Sequence, residues 1–162
     1  MNWRGTATAT NRVWASLPYL LPLVEVLLFV LAFNSAIFRD LPLLSVLFVP
    51  LLPILRIYTS IPFVGLIVFF LLLFLVVRNT NIDHFVRFNT MQAILLDIIL
   101  VICRVILQLL GPTLGSGLVL ATLANTIFLG IIAAVGFSLV QTVRGVYAEI
   151  PTISDAVHMQ VR

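Results

Sequence analysis

Apolar residues in this chain come in long, nearly unbroken runs, not in the alternation of a soluble strand or the single stripe of a soluble helix. About 19 apolar residues in helical form reach across the hydrocarbon core of a bilayer. Three runs meet that length: Leu17 to Phe38, Met91 to Leu110 and Leu118 to Val140. A fourth, Pro62 to Val77, is near the lower limit and spans only if it stands upright or recruits its flanks. The pattern predicts an all-α integral membrane protein, a bundle of four transmembrane helices.

Between the first two runs lies LPLLSVLFVPLLPILRIYTS, apolar but interrupted by Pro42, Pro50 and Pro53. Prolines remove backbone donors, so residues 41–58 are expected to form a broken helix that is re-entrant or lies in the interface. Residues 1–16, acid-free and carrying Trp3 and Trp14, are expected to form an interfacial arm, with Trp14 and Tyr19 at the headgroup level. Ser16 before Leu17 and Pro18 reads as a helix start, which puts the membrane domain at 17–143. GPTLGSG, Gly111 to Gly117, is expected to be a tight turn that makes a hairpin of the last two spans. In the tail, residues 144–162, Thr152 and Asp155 have capping-box spacing. A short helix would follow, with Val157 and Val161 on the side that docks on the bundle or on a partner.

Composition agrees with the lipid assignment. The chain is 62% apolar and 9% charged, against roughly 45–50% apolar in soluble domains. Four such runs cannot all be buried inside a globule of 18.0 kDa. All nine basic residues are arginines. Scattered singly at the ends of the runs, they read as topology signals and not as a nucleic-acid surface. With four spans, Arg4, Arg12, Arg78, Arg87, Arg144 and Arg162 share one side, against Arg39 and Arg56 on the other. The positive-inside rule then puts both termini on the cytoplasmic or stromal side.

Polar residues inside the runs are few, so each one matters. Asp97, Arg104 and Gln108 fall on one narrow helical face, since seven and then four steps of about 100° nearly close the circle. Charges at that depth face the bundle interior and find partners, and Glu25 in the first run completes an expected intramembrane cluster. The cluster fits a polar clasp between helices or a gating or conducting site, and the sequence leaves both open. In the last run Thr122, Thr126, Gly130, Ala134, Ser138 and Thr142 recur every four residues, a ridge of small side chains that lets another helix approach closely.

Catalytic chemistry has little to build on. Cys103 is the single cysteine, and His84 and His158 lie outside the runs, where they read as interfacial or solvated residues. No phosphate-binding, dinucleotide, zinc-protease or serine-hydrolase motif occurs. The chain is expected to be no enzyme, with no cofactor, metal or nucleic acid bound.

RFNTMQAILLDI (Arg87 to Ile98), EIPTISDAVHMQVR (Glu149 to Arg162), YLLPLVEVLLF and PFVGLIVFFLLLFLVVRN together cover much of the chain. They resemble the ~20-kDa channel-subunit family of the Tic translocon, at the inner envelope membrane of chloroplasts. The resemblance implies four membrane helices with both termini stromal or cytoplasmic. It also implies a place among other translocon subunits, or in a homo-oligomer, handling transported or inserted polypeptide. It brings no catalytic residues. The absence of a transit peptide and of lysine points to a cyanobacterial-type homologue, or else a plastid-encoded one, in a plasma, thylakoid or inner envelope membrane. The alternatives are a small-solute transporter or ion channel, and a non-conducting scaffold or insertion factor.

Overall fold

The computed structural model describes residues 7–33, 35–114 and 117–161, and every regular element among them is helical. Trp3, Arg4, Gly115, Ser116 and Arg162, which entered the expectations above, lie outside the described residues. Helices α1 (Ala9–Ser16) and α2 (Leu20–Ala32) join through a 3-10 turn, Leu17–Tyr19, into one rod. Thr8, extended at φ −63°, ψ 156°, accepts the amide of Asn11 on its hydroxyl at 3.2 Å and so caps the start. The start expected at Ser16 therefore moves back to Ala9. Ser16 instead donates to the Arg12 carbonyl at 2.7 Å. Pro18, lacking a donor, tightens the rod locally without opening a new helix.

After α3 (Ile37–Asp40), helices α4 (Pro42–Phe48) and α5 (Leu52–Ser60) are jointed at a 3-10 turn, Val49–Leu51, beside Pro50 and Pro53. Phe63, left-handed at φ 57°, turns the chain into α6 (Val64–Leu71), which continues as π-helix through Leu72–Val77. Helix α7 (His84–Leu114) is capped by Asp83, whose Oδ1 accepts the Phe85 amide at 2.8 Å. It runs through Gly111 and Pro112, so less chain is left for the turn before α8 (Gly117–Val143) than GPTLGSG suggested.

Among the described residues four helices are long and apolar enough to cross a membrane: Ala9–Ala32, Pro42–Ser60, His84–Leu114 and Gly117–Val143. The fold is the expected one, an all-α membrane protein with an extra proline-jointed helix between its first two bundle helices. By length, however, that jointed segment counts among the four, and Val64–Val77 is the shorter apolar helix.

Side-chain contacts fix how the ends align. Arg12 donates to the Val143 carbonyl at 3.2 Å, and Arg87 donates to the Val77 carbonyl at 2.8 Å. The start of α1, the end of the π segment, the start of α7 and the end of α8 thus gather at one end, here called the arginine end. Tyr58, near the end of α5, meets Glu25, well down the first rod from that end. Pro42–Ser60 therefore stops short of the arginine end, and Val64–Val77 covers the remaining distance.

The tail closes over the arginine end. Gly145 takes φ 75° where a Cβ would lie 2.9 Å from Arg12 Nε, so the turn requires glycine. Helix α9 (Ile153–Gln160) buries Val157 against the α7 side chains Phe88 and Ile94, with Val161 buried just beyond it. The expected capping box does not form: Thr152 is left-handed at φ 73° and its side chain caps nothing. Ser154 accepts the Ile150 amide at 2.6 Å and closes the turn in its place. At the opposite end, Phe38, Phe48 and Phe128 meet edge-on or tilted, with centroids 5.7–5.9 Å apart.

Candidate functional site

Two polar layers cross the bundle. The first lies just inside the arginine end. Tyr19, Asn89, Gln92, Ser138 and Thr142 are all fully buried there. Tyr19 donates to Asn89 Oδ1 at 3.0 Å, and Asn89 Nδ2 donates to the Phe85 carbonyl at 2.8 Å. The Thr142 hydroxyl is 2.7 Å from both Asn89 Oδ1 and the Ser138 carbonyl, so its one proton has two acceptors. Gln92 donates to Ser138 Oγ at 2.8 Å, while its own Oε1 has no partner among the described residues. The layer ties the first rod, α7 and α8 together where apolar attraction between helices is weak and packing and hydrogen bonds decide association.

Most of this layer was not singled out from sequence. Ser138 and Thr142 entered only as ridge members, and Asn89, Thr90 and Gln92 only as part of a matching stretch. The available signal was three polar residues in four, Asn89, Thr90 and Gln92, at the head of an apolar run, where a lipid-facing helix would not place them.

The second layer lies deeper and holds three of the four expected cluster residues. Tyr58 donates to Glu25 Oε1, and the Glu25 and Asp97 carboxylates lie within electrostatic range of one another. Arg104 is also within range of the Tyr58 hydroxyl. No salt bridge joins Arg104 to either carboxylate among the described residues. Asp97 is buried, and its Oδ1 has no hydrogen-bond partner among the described residues. Gly65 makes room for the contact, since a Cβ there would run into Tyr58 and come within 2.8 Å of Glu25 Oε1. Gln108, the fourth residue, is exposed. Tyr58 is the member that sequence reading missed; it stands in the jointed segment, outside the expected spans.

The small-residue ridge is divided. Ser138 and Thr142 are buried in the first layer and Ala134 is partly buried, whereas Thr122, Thr126 and Gly130 are exposed. A row at four-residue spacing advances about 400° per step and so drifts about 40° each time. Over five steps it turns from the bundle interior to the outside.

The tail is held by His84, whose Nδ1 lies 3.0 Å from the Tyr147 hydroxyl and Nε2 3.4 Å from the Val161 carbonyl. The carbonyl can only accept, so in a neutral ring the proton is on Nε2 and Nδ1 accepts from Tyr147. Burial, and then the nearby Asp83 carboxylate, raise the Tyr147 pKa and keep its hydroxyl neutral for that bond. His84 is therefore part of a tertiary contact, while His158 is exposed with its ring 5.1 Å from that of Phe88.

Comparison with known proteins bears on what these layers serve. A family model described as "Chloroplast import apparatus Tic20-like" matches residues 8–157. A Tic20 family protein of Synechocystis sp. is 43% identical over 158 residues, which is 97% of this chain and 96% of that protein. Protein TIC 20-v, chloroplastic, of Arabidopsis thaliana is 31% identical over 94% of this chain and 72% of its own length. The Tic20 family protein Ycf60 of Gracilaria tenuistipitata var. liui is 32% identical over 95% of this chain and 76% of its own.

Proposed function

The chain belongs to the Tic20-like family of the chloroplast import apparatus, and on that premise we propose that it is a membrane subunit of a protein translocation complex. The family is named for a transport apparatus and not for a reaction, and its members here come from a cyanobacterium and from plastid-bearing organisms. One observation carries the reading further: the bundle is filled where its helices meet. Tyr19, Phe29, Phe88 and Phe128 are fully buried within it. Helices packed at about 8–10 Å leave no passage for a polypeptide about 10 Å across when helical. A conducting path thus needs further copies or other subunits, which supports a role as a subunit and not as a complete pore.

In this proposal Ala9–Ala32, Val64–Val77, α7 and α8 cross the bilayer and Pro42–Ser60 is re-entrant. Arg12, Arg78, Arg87 and Arg144 then mark the cytoplasmic or stromal side, together with both ends of the chain. The outward face of Pro42–Ser60, with Leu43, Val46 and Leu47 at least 65% exposed, is offered to other subunits.

The test is gentle solubilisation from the native membrane, with photo-crosslinkers at Leu43 and Leu123. The expected result is a large assembly in which one position joins another membrane subunit and a stalled precursor is retained. A monomer in every mild detergent and in nanodiscs, with lipid adducts alone, would sink the proposal.

A second reading, passage of a proton or small ion, is favoured by the deeper layer of Glu25, Tyr58, Asp97 and Arg104. Arg104→Leu separates it from a clasp. Intact assembly with changed ion flux in liposomes supports passage, and loss of assembly supports the clasp.

A further inference from the structure

A groove of about 700 Å³ runs along the outside of the first rod, between it, the α6 segment and the start of α7. Asn11, Asn81 and Asp83 stand at its arginine end, and Leu21, Val68 and Leu72 line its deeper part. We propose that this groove binds a neutral diacyl glycerolipid with a sugar headgroup, its chains along the apolar wall and its hydroxyls on the polar lip.

Three observations lead to that occupant. The first is polarity, which runs along the groove in the sense of a lipid in the leaflet on the arginine side: polar at the end of the bundle, apolar toward its middle.

The second is the wall itself. From Asn11 to Leu21 it is about 15 Å long at about 1.5 Å per residue, the depth of one leaflet of a hydrocarbon core about 30 Å thick. Leu17, Leu20, Leu21, Val68 and Leu72 give that length an apolar lining along which extended hydrocarbon chains can lie. Leu72 and Val76 stand on the π-helical stretch, a local widening that often accompanies binding sites.

The third is charge. Asp83 is the one charged residue lining the groove among the described residues. The nearby arginines are directed elsewhere. Arg12 donates to the carbonyls of Ala7 and Val143, Arg87 donates to Val77, and Arg78 lies over the Phe74 ring at 5.7 Å. A phosphate at the lip would face a carboxylate with no cation among the described lining residues to offset it. Two carboxamides and a carboxylate are instead the donor and acceptor set that hydroxyls require. Trp14, 59% exposed at the same end, offers a flat face for a sugar ring.

The wild-type protein would be placed in nanodiscs holding equal amounts of monoglycosyl diacylglycerol, phosphatidylcholine and phosphatidylglycerol. Native mass spectrometry then counts the lipids retained after release. Retention of the glycosyl lipid over either phospholipid by about tenfold is expected. Leu72→Trp, which fills a half-buried wall position, should abolish that retention with an unchanged thermal melt. Asn81→Ala should reduce the preference for the sugar severalfold while total bound lipid stays the same. Equal retention of the three lipids, preference for phosphatidylglycerol, or undiminished glycolipid on a folded Leu72→Trp protein would overturn the proposal. The competition on wild-type protein decides the matter even if both variants misfold, and it does not depend on translocation.

Discussion

The two ends of the molecule are built on different terms. At the arginine end the first rod, the start of α7, the end of α8 and the tail enclose one another, and every residue of α7 from Phe85 to Ile94 is buried. Toward the other end Pro42–Ser60 rests on the bundle with 6% of its stretch buried. The second half of α7 likewise turns Val105, Ile106 and Leu109 outward. The buried end is held by directional bonds among neutral side chains. The open end is held by an apolar cluster that includes Phe29, Val30, Ile37, Phe48 and Phe128, and by two polar contacts, Tyr58 on Glu25 and Ser35 on Asn125. One half thus specifies the fold of the single chain, and the other is left for whatever surrounds it.

The sharpest way to break this contrast is to remove the hub of the buried layer. Asn89→Ala deletes the acceptor of Tyr19 and the bond to the Phe85 carbonyl, while Thr142 falls back on the Ser138 carbonyl. One buried hydroxyl left unpaired and a lost amide bond cost about 2–3 kcal/mol. Thermal unfolding in detergent should show that loss. Tyr19→Phe, which removes one partner and leaves Asn89 its bond to Phe85, should cost about 1 kcal/mol. Equal melts for both variants and wild type would mean that the layer does not hold the bundle.

Next in size is the tail. Gly145→Val forces a β-branched residue into φ 75° and drives its Cβ into the Arg12 guanidinium. Left-handed backbone costs a non-glycine residue about 1–2 kcal/mol, a penalty concentrated in the closing turn. Hydrogen exchange should therefore accelerate in α9 and at Arg12 while the middle of α7 stays protected. Uniform acceleration throughout would show that the tail and bundle unfold as one unit.

These two regions also differ in how much the sequence reveals. Long apolar runs announce helices whatever their surroundings, so the all-α membrane bundle was legible, as was the joint at Pro50 and Pro53. Helix ends were harder to read. Ser16 carries the chemistry of a cap, but Thr8 is the residue with the extended backbone, and only the neighbours of Arg12 explain why the rod begins so early. Asp97 and Glu25 stood out because ionised groups are expensive in lipid. Asn89 and Gln92 did not, because a neutral polar residue near a helix end is cheap until the fold buries it. Tyr58 became legible only once the fold set the end of α5 against Glu25.

A smaller effect is expected where the ends meet, at Gly65. Gly65→Ala gains about 1 kcal/mol of helix propensity in α6 and loses the Tyr58 contact on Glu25, so global stability should change by less than about 1 kcal/mol. The local change is larger: α5 loses its polar tie, and a cysteine at Ile57 should label faster with a membrane-permeant thiol reagent. Tyr58→Phe removes the same bond without the steric clash and should reproduce the labelling. Faster labelling from Gly65→Ala alone would assign the effect to crowding and not to the hydrogen bond.

The smallest expected effect on the chain by itself falls on the exposed half of the ridge, and that makes it informative. No atom lies within 4 Å of a Cβ built at Gly130, so Gly130→Leu meets no neighbour in the single chain. The isolated protein should lose no stability and gain at most the helix propensity of a replaced mid-helix glycine, up to about 1 kcal/mol. Ser138→Leu, two steps along the same row, would deprive Gln92 of its acceptor and force bulk into a filled layer, at about 2–4 kcal/mol. In membranes that hold its partners the ranking should change. If another helix packs on Thr122, Thr126 and Gly130, leucine there blocks close approach, and the assembly fails while the subunit remains folded. If Gly130→Leu leaves the assembly intact, the exposed half faces lipid, and the joining surface must be sought on Pro42–Ser60.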